Sequence, residues 1–307
     1  MVSTFTPNIQ LEEPARGDQV GVWDTPVNAN MTLLDRTTGG ISVITLNNSP
    51  VVLSAVQFQS RCITFASTLT GNVTITFPST FIKDYVIFNL CTGSSAFVVT
   101  LKTTVAGVNV ICAPPGEATQ VYNDGQNLSF LNLGRVGSFW DYGGSSVPAW
   151  VSGCTVAPYL ACSGGTFSAT TYPQLAVILG STTLPDTRGR VRAALNQGTG
   201  RLTTAGGNVD GNTNLAGGGG ESVTLASSQL PASIPYTDPG HLHQQSASLA
   251  GGAGGMQITN VSAVYAGIVG ANTQVATTSI TINPSGGGAH FNVQPTYIGG
   301  ITMIRAG

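Results

Sequence analysis

GNVTITFPS, residues 71–79, decides how the chain is to be read. Val73, Ile75 and Phe77 alternate there with Thr74 and Thr76. Successive side chains on a strand point to opposite faces, so the apolar three share one face and the threonines the other. The stretch predicts a strand with one face in a core. Its neighbours extend the pattern: DYVIFNL (84–90), SSAFVVTLKTT (94–104), GVNVICAPPGEATQVYNDG (107–125) and QNLSFLNL (126–133). Turn residues punctuate them, as at Asn123-Asp124-Gly125. Short strands at near-regular spacing predict a β-sandwich module over residues 41–134. The carboxylates Asp84, Glu117 and Asp124 are expected in turns and the region holds no histidine, so nothing in it reads as catalytic.

Composition agrees with a β-rich chain. Charged residues are 8% of the 307, against roughly 25% in ordinary domains. Forty glycines, with much Thr, Ser, Val and Asn, suit strands joined by tight turns. A net charge of −2 gives no electrostatic reason to expect nucleic acid or an anionic membrane as partner. The N-terminus lacks a basic segment followed by an apolar run, so no cleaved leader is expected. Apolar runs are strand-length, far short of the roughly 20 residues of a bilayer span, so no membrane insertion is expected and the protein reads as soluble. So few charges favour a permanent oligomer that hides surface.

Residues 1–40 hold one helical stretch, WDTPVNANMTLLDRT, in which Trp23, Val27, Met31 and Leu34 recur at three- and four-residue spacing. Asp24 or Thr25 suits the cap and Pro26 the first turn. The stripe is expected to pack on a neighbouring element. Arg16-Gly17-Asp18 carries too little information to be read as an adhesion motif. Residues 135–205 hold a short helix, YPQLAVIL, with Leu175, Ile178 and Leu179 on one face, followed by LPDTRGRV. Arg188, Arg190 and Arg192 are expected to pair with Asp186 and main-chain carbonyls, since no glycine-rich loop joins a strand to a helix N-terminus there. The five cysteines, Cys62, Cys91, Cys112, Cys154 and Cys162, read as small buried hydrophobes, with a Cys154–Cys162 disulfide as the alternative. No C-x-x-C pair is present to suggest thiolate zinc. Residues 206–289 alternate glycine tracts with β-patterned runs and predict a glycine-rich β tip of an intertwined oligomer.

These motifs resemble the phage tail collar family and its tail-fibre relatives. The likeness rests on APYLACSGGTFSATTYPQLAVILGSTTLPDTRGRVRAALNQGTGR (157–201), with SSQLPA, GHLH and the C-terminal AHFNVQPTYIGGITMIRAG in support. LEEPARGDQVGVWDTPVNANMTLLD is similar to the segment by which tail fibres join the virion. The resemblance implies a mainly β, elongated, intertwined homotrimer. Its parts would be a virion-attachment segment (1–40), a shaft-proximal β-sandwich (41–134), a small α+β collar domain (135–205), and a receptor-binding tip with a C-terminal closing strand (206–307). It implies a virion protein, assembled in the host cytoplasm, that joins a tail or baseplate protein by its N-terminus. It would bind a host cell-surface glycan or protein through loops within 206–220 and 244–289.

Two of the chain's three histidines stand at His241 and His243, in DPGHLHQQ. On a strand they project to one side, roughly 6–7 Å apart. Three chains about an axis would supply six imidazoles, enough for an octahedral metal on the three-fold axis. The resemblance implies iron rather than zinc. The alternatives are an exposed turn, or imidazoles hydrogen-bonded without metal; His290, in AHFN, reads as fixing local structure. A structural collar or adaptor binding another virion component is the alternative function. A depolymerase is not expected, because beyond residue 187 only Asp210, Glu221 and Asp238 offer the paired carboxylates that glycosidases need. A G-x-S-x-G elbow is also missing.

Overall fold

The computed structural model describes residues 3–204, 209–219 and 300–307, with the backbone of 222–224 and 289–291. It is mainly β, with several sheets and few helices. Two compact units divide the chain: Met1–Gly219 with Thr296–Gly307, and Gly220–Pro295.

The first unit begins with a small hairpin, β1 (Thr4–Phe5) and β2 (Glu12–Glu13), followed by helix α1 (Asp24–Gly39). Asn30 ties the helix to the hairpin: its Nδ2 donates to the Glu12 carbonyl at 3.0 Å, and its Oδ1 accepts from the Glu12 N–H at 2.8 Å. Arg36 donates to Gln59 Oε1 at 3.0 Å. Together with buried Pro26 and Leu33, these contacts fix which face of α1 turns inward. That face is not the predicted one. Trp23 is 68% exposed, Met31 62%, and Val27 and Leu34 lie bare beside them. The stripe expected to pack on a neighbouring element is left largely uncovered among the described residues, because the polar anchors Asn30 and Arg36 decide the rotation.

The next elements are β3 (Ile41–Thr45), β4 (Val51–Val52), α2 (Ala55–Gln59), β5 (Cys62–Ala66), β6 (Thr68–Leu69), β7 (Val73–Phe77), β8 (Lys83–Asn89), β9 (Thr92–Gly93), β10 (Val99–Thr103), β11 (Ile111–Ala113), β12 (Ala118–Asn123) and β13 (Leu128–Phe130). They form a five-stranded sheet, β13-β12-β8-β5-β3, and a four-stranded one, β11-β10-β7-β4. Their inner faces share one core: Ile63, Phe65, Tyr85 and Ile87 from the first, Val73, Ile75, Phe77, Val99 and Leu101 from the second. The alternation read from GNVTITFPS is realised, with Val73, Ile75 and Phe77 buried and the threonines half-buried.

The connections are less ordinary. β3, β5 and β8 run parallel, as do β4, β7 and β10, and β6 lies parallel to β9. The chain therefore winds from one sheet to the other and back, laying each turn beside the last. Register partners such as Ile41↔Cys62 and Val51↔Ile75 are roughly two dozen residues apart, the spacing of a solenoid repeat. Only β11, β12 and β13 return antiparallel. The last of these hairpins turns at Asn123-Asp124-Gly125, where Asp124 Oδ1 accepts from the N–H groups of Gln126 and Asn127 and Gly125 takes a φ of 88°. Asp84, expected in a turn, lies within β8 and pairs with Arg61 at 3.3 Å.

Residues that follow the winding form β14 (Phe139–Tyr142), α3 (Ala149–Ser152), β15 (Tyr159–Ala161) and α4 (Pro173–Leu179). The C-terminal strand lies between β14 and β15, antiparallel to both, with partners Trp140↔Met303 and Leu160↔Ile304. Ile304, Cys162, Tyr172, Leu175 and Leu184 make a second core. In α4, Leu175 is fully buried and Leu179 packs beside it, whereas Ile178 is half exposed; Gly180 ends the helix at φ 63°.

In the second unit, Ser222–Thr224 (β16) pairs antiparallel with Ala289–Phe291 (β17), which sets Val223 opposite His290. The C-terminal strand of the first unit, Ile301–Arg305, is β18.

Candidate functional site

His241 and His243 lie outside the described residues, as does the predicted receptor-binding segment 244–289 apart from its last residue, Ala289 in β17. Of the other predicted loop, 206–220, residues 209–219 are described, and Asp210 closes a turn there by accepting from Thr213 Oγ1 and the Asn212 N–H. Among the described residues no three His, Cys, Asp or Glu side chains gather in a way that would hold a metal ion.

The arginines of LPDTRGRV are held within the chain. Arg188 makes a two-pronged contact with Asp186, at 2.8 and 3.0 Å, which holds that carboxyl down at about 2. Arg190 reaches the Asp186 carbonyl at 3.4 Å. Arg192, expected at Asp186 or a main-chain carbonyl, instead pairs with Asp141 of β14, which the fold brings beside it, and lies over the Phe139 ring. Thr302 of β18 donates to the other Asp141 oxygen at 2.7 Å. These contacts fasten the 186–192 loop to the β14-β18-β15 sheet, leaving Arg188 and Asp186 to neutralise each other.

A cleft of about 340 Å³ opens between the winding and this smaller sheet. One wall is β12 with Glu117 before it; the other carries Trp140, Trp150 and Tyr159, and Asn132 and Leu133 close one end. The aromatic rings brace each other: Trp140 lies 4.9 Å from Tyr159 and 6.0 Å from Trp150, centroid to centroid. Tyr159 is fixed by its hydroxyl, which donates to the Leu133 carbonyl at 2.6 Å, and by Arg305, 5.6 Å from its ring centroid. Arg305 is itself buried and donates to the Pro158 carbonyl at 2.7 Å. Gln120 Oε1 accepts from Asn132 Nδ2 at 3.3 Å across the opposite wall.

The cleft thus brings aromatic side chains together with side-chain amides and a carboxylate. Such a lining suits a neutral, hydroxyl-rich ligand, whose apolar face rests on an aromatic while its hydroxyls meet amides. Sequence reading did not single out these residues. The only advance signal was the crowding of Trp140, Tyr142, Trp150 and Tyr159 into twenty residues of a chain that is 7% aromatic.

A second unassigned feature is the bare face of α1. It leads through Gly40 into β3, the edge of the five-stranded sheet, whose outward Ile41 and Val43 are 71% and 68% exposed.

All five cysteines are unpaired. Cys162 is buried in the second core and Cys154 in the first, so the Cys154–Cys162 disulfide is not formed. Cys154 instead meets Cys112. No helix among the described residues is long and apolar enough to cross a membrane.

Compared with family models, curated proteins and solved structures, the chain matches none.

Proposed function

We propose that the chain is a phage tail-fibre protein. It forms a homotrimer, joins the virion tail or baseplate through residues 1–40, and binds a host-surface glycan or protein through its C-terminal region. The observation that carries this reading is the uncovered stripe Trp23, Val27, Met31 and Leu34, continued by Ile41 and Val43. Apolar side chains grouped at helical spacing mark a surface that another chain covers, where scattered single ones would not. In a sequence with 8% charged residues, few side chains remain to keep such a face apart from its copies. The motif YPQLAVILG…LPDTRGRV supports the collar assignment, and the aromatic cleft supports a glycan among the ligands. His241 and His243 from three copies hold an iron ion in this reading, and clamp the strands that carry them.

Binding of the purified chain to host cells tests it. Expected are saturable binding, competition by the host's surface polysaccharide, and reduced phage adsorption in the presence of excess chain. Trp140→Ala should weaken polysaccharide binding roughly tenfold if the cleft takes part, the scale of one lost aromatic contact. A chain that binds no host cell but does bind a purified virion component is a structural collar or adaptor, and the receptor reading falls.

A further inference from the structure

Cys112 and Cys154 sit side by side without being bonded. Cys112 belongs to β11 of the four-stranded sheet, and Cys154 follows α3, in the segment that carries Trp150 of the cleft. The Cys112 N–H donates to Cys154 Sγ at 3.3 Å. Cys154 Sγ donates in turn to the Trp150 carbonyl at 3.2 Å. Two flanking bonds hold the segments in register: the Thr155 N–H donates to the Val110 carbonyl at 2.8 Å, and the Val110 N–H to Thr155 Oγ1 at 3.0 Å. Between them Gly153 is required by space, since a Cβ there would stand 2.9 Å from Cys112 Sγ and 3.0 Å from the Ala149 carbonyl. The lack of a side chain at one position is what lets the two sulfurs meet. Both are buried in the same apolar core.

We infer that Cys112 and Cys154 are a disulfide-forming pair, a covalent modification site that ties the wound sheets to the segment bearing Trp150. The co-reactant is a small-molecule disulfide. The Cys154 thiolate attacks one of its sulfurs, which breaks that S–S bond, forms a mixed disulfide on Cys154 and releases one thiolate. The Cys112 thiolate then attacks Cys154 Sγ, forming the protein S–S bond and releasing the second thiolate. Both thiol protons end on the two released thiols, and the protein has lost two electrons to the small disulfide. Cys154 is suited to attack first: the adjacent Cys112 pulls its thiol below the ordinary value, while Cys112 is pushed up by the adjacent Cys154 and by burial. Closing the link removes the hydrogen bond to the Trp150 carbonyl, so the oxidation state reaches the wall of the cleft.

The test is independent of whether the chain is a fibre. The full-length protein is refolded from the reduced, denatured state in a glutathione redox buffer, so that burial does not limit access, then alkylated and mapped by mass spectrometry. The expected result is a peptide containing Cys112 linked to one containing Cys154, with free thiols falling from five to three. The melting temperature should rise by on the order of 5 °C over the same protein in reductant. Cys154→Ser should show no link at Cys112, and should keep the lower melting temperature in both buffers. Folded protein that retains five free thiols, a link between Cys154 and Cys162, or a glutathione adduct persisting on either residue would overturn the assignment. Should Cys154→Ser fail to fold, the wild-type map decides alone.

Discussion

Asn123 shows what one side chain contributes to the winding. It is fully buried at the end of β12, where its Nδ2 donates to the carbonyls of Pro78 and Phe81 at 2.9 and 3.1 Å, and its Oδ1 accepts from Gly125 at 3.0 Å. Asn123→Ala leaves two buried backbone groups and one half-buried carbonyl without this partner and should cost about 2–4 kcal/mol, read from urea denaturation. Cys162 makes the opposite kind of statement, about charge that must not form. Burial pushes its thiol from the ordinary 9.0 up to about 11, with Arg192 pulling down and Asp141 pushing up more weakly. The unfolded chain therefore releases this proton first, and stability falls as pH rises from about 9 to about 11. Comparing denaturation of wild type and Cys162→Ala at pH 8 and pH 10.5 isolates the effect: the wild type should lose more stability over that interval. Lys83 works against this fall. Its ammonium donates to the Gln59 and Ser60 carbonyls, yet burial lowers it to about 8, so its contribution grows over much of the same range. Roles like these are hardly legible in sequence, because nothing near Asn123 or Lys83 says which carbonyls will come within reach.

Elements were legible in their faces and not in their partners. GNVTITFPS announced its inner residues correctly, since alternation follows from the pleat alone. Parallel pairing with β4 and β10 is invisible to that argument, as it depends on how far the chain travels before it returns. The stripe on α1 is the instructive reversal: the spacing was right, the helix formed, and the side read as packed is the side left bare. Periodicity names an apolar face without saying which chain will cover it. If copies of this chain do so, Met31→Asp should lower the mass seen by light scattering toward the 31.3 kDa of a single chain while circular dichroism stays unchanged. An unaltered oligomer would free this face of that role.

For the whole molecule, the closing strand is the feature with the widest reach. Ile301–Arg305 stands far along the sequence from β14 and β15 yet lies between them in space, so the smaller sheet cannot be completed until that distant strand is available. At this scale the proposed histidine pair is tested too: if it holds iron in an oligomer, replacing both His241 and His243 by alanine should remove the metal and lower the melting temperature. Elemental analysis finding no metal in the wild-type protein would end that part of the reading.

The sequence by itself determined the β-rich class, the buried face of β7, the Asn123-Asp124-Gly125 turn and the pairing of Arg188 with Asp186. All of these follow from interactions within a few residues, or from a period the backbone imposes. Only the tertiary structure decided the parallel winding, the bare face of α1, the aromatic cleft and the meeting of Cys112 with Cys154. Each of those joins residues far apart along the chain, and contact between distant segments is settled by how the whole core packs, a quantity that no local pattern encodes.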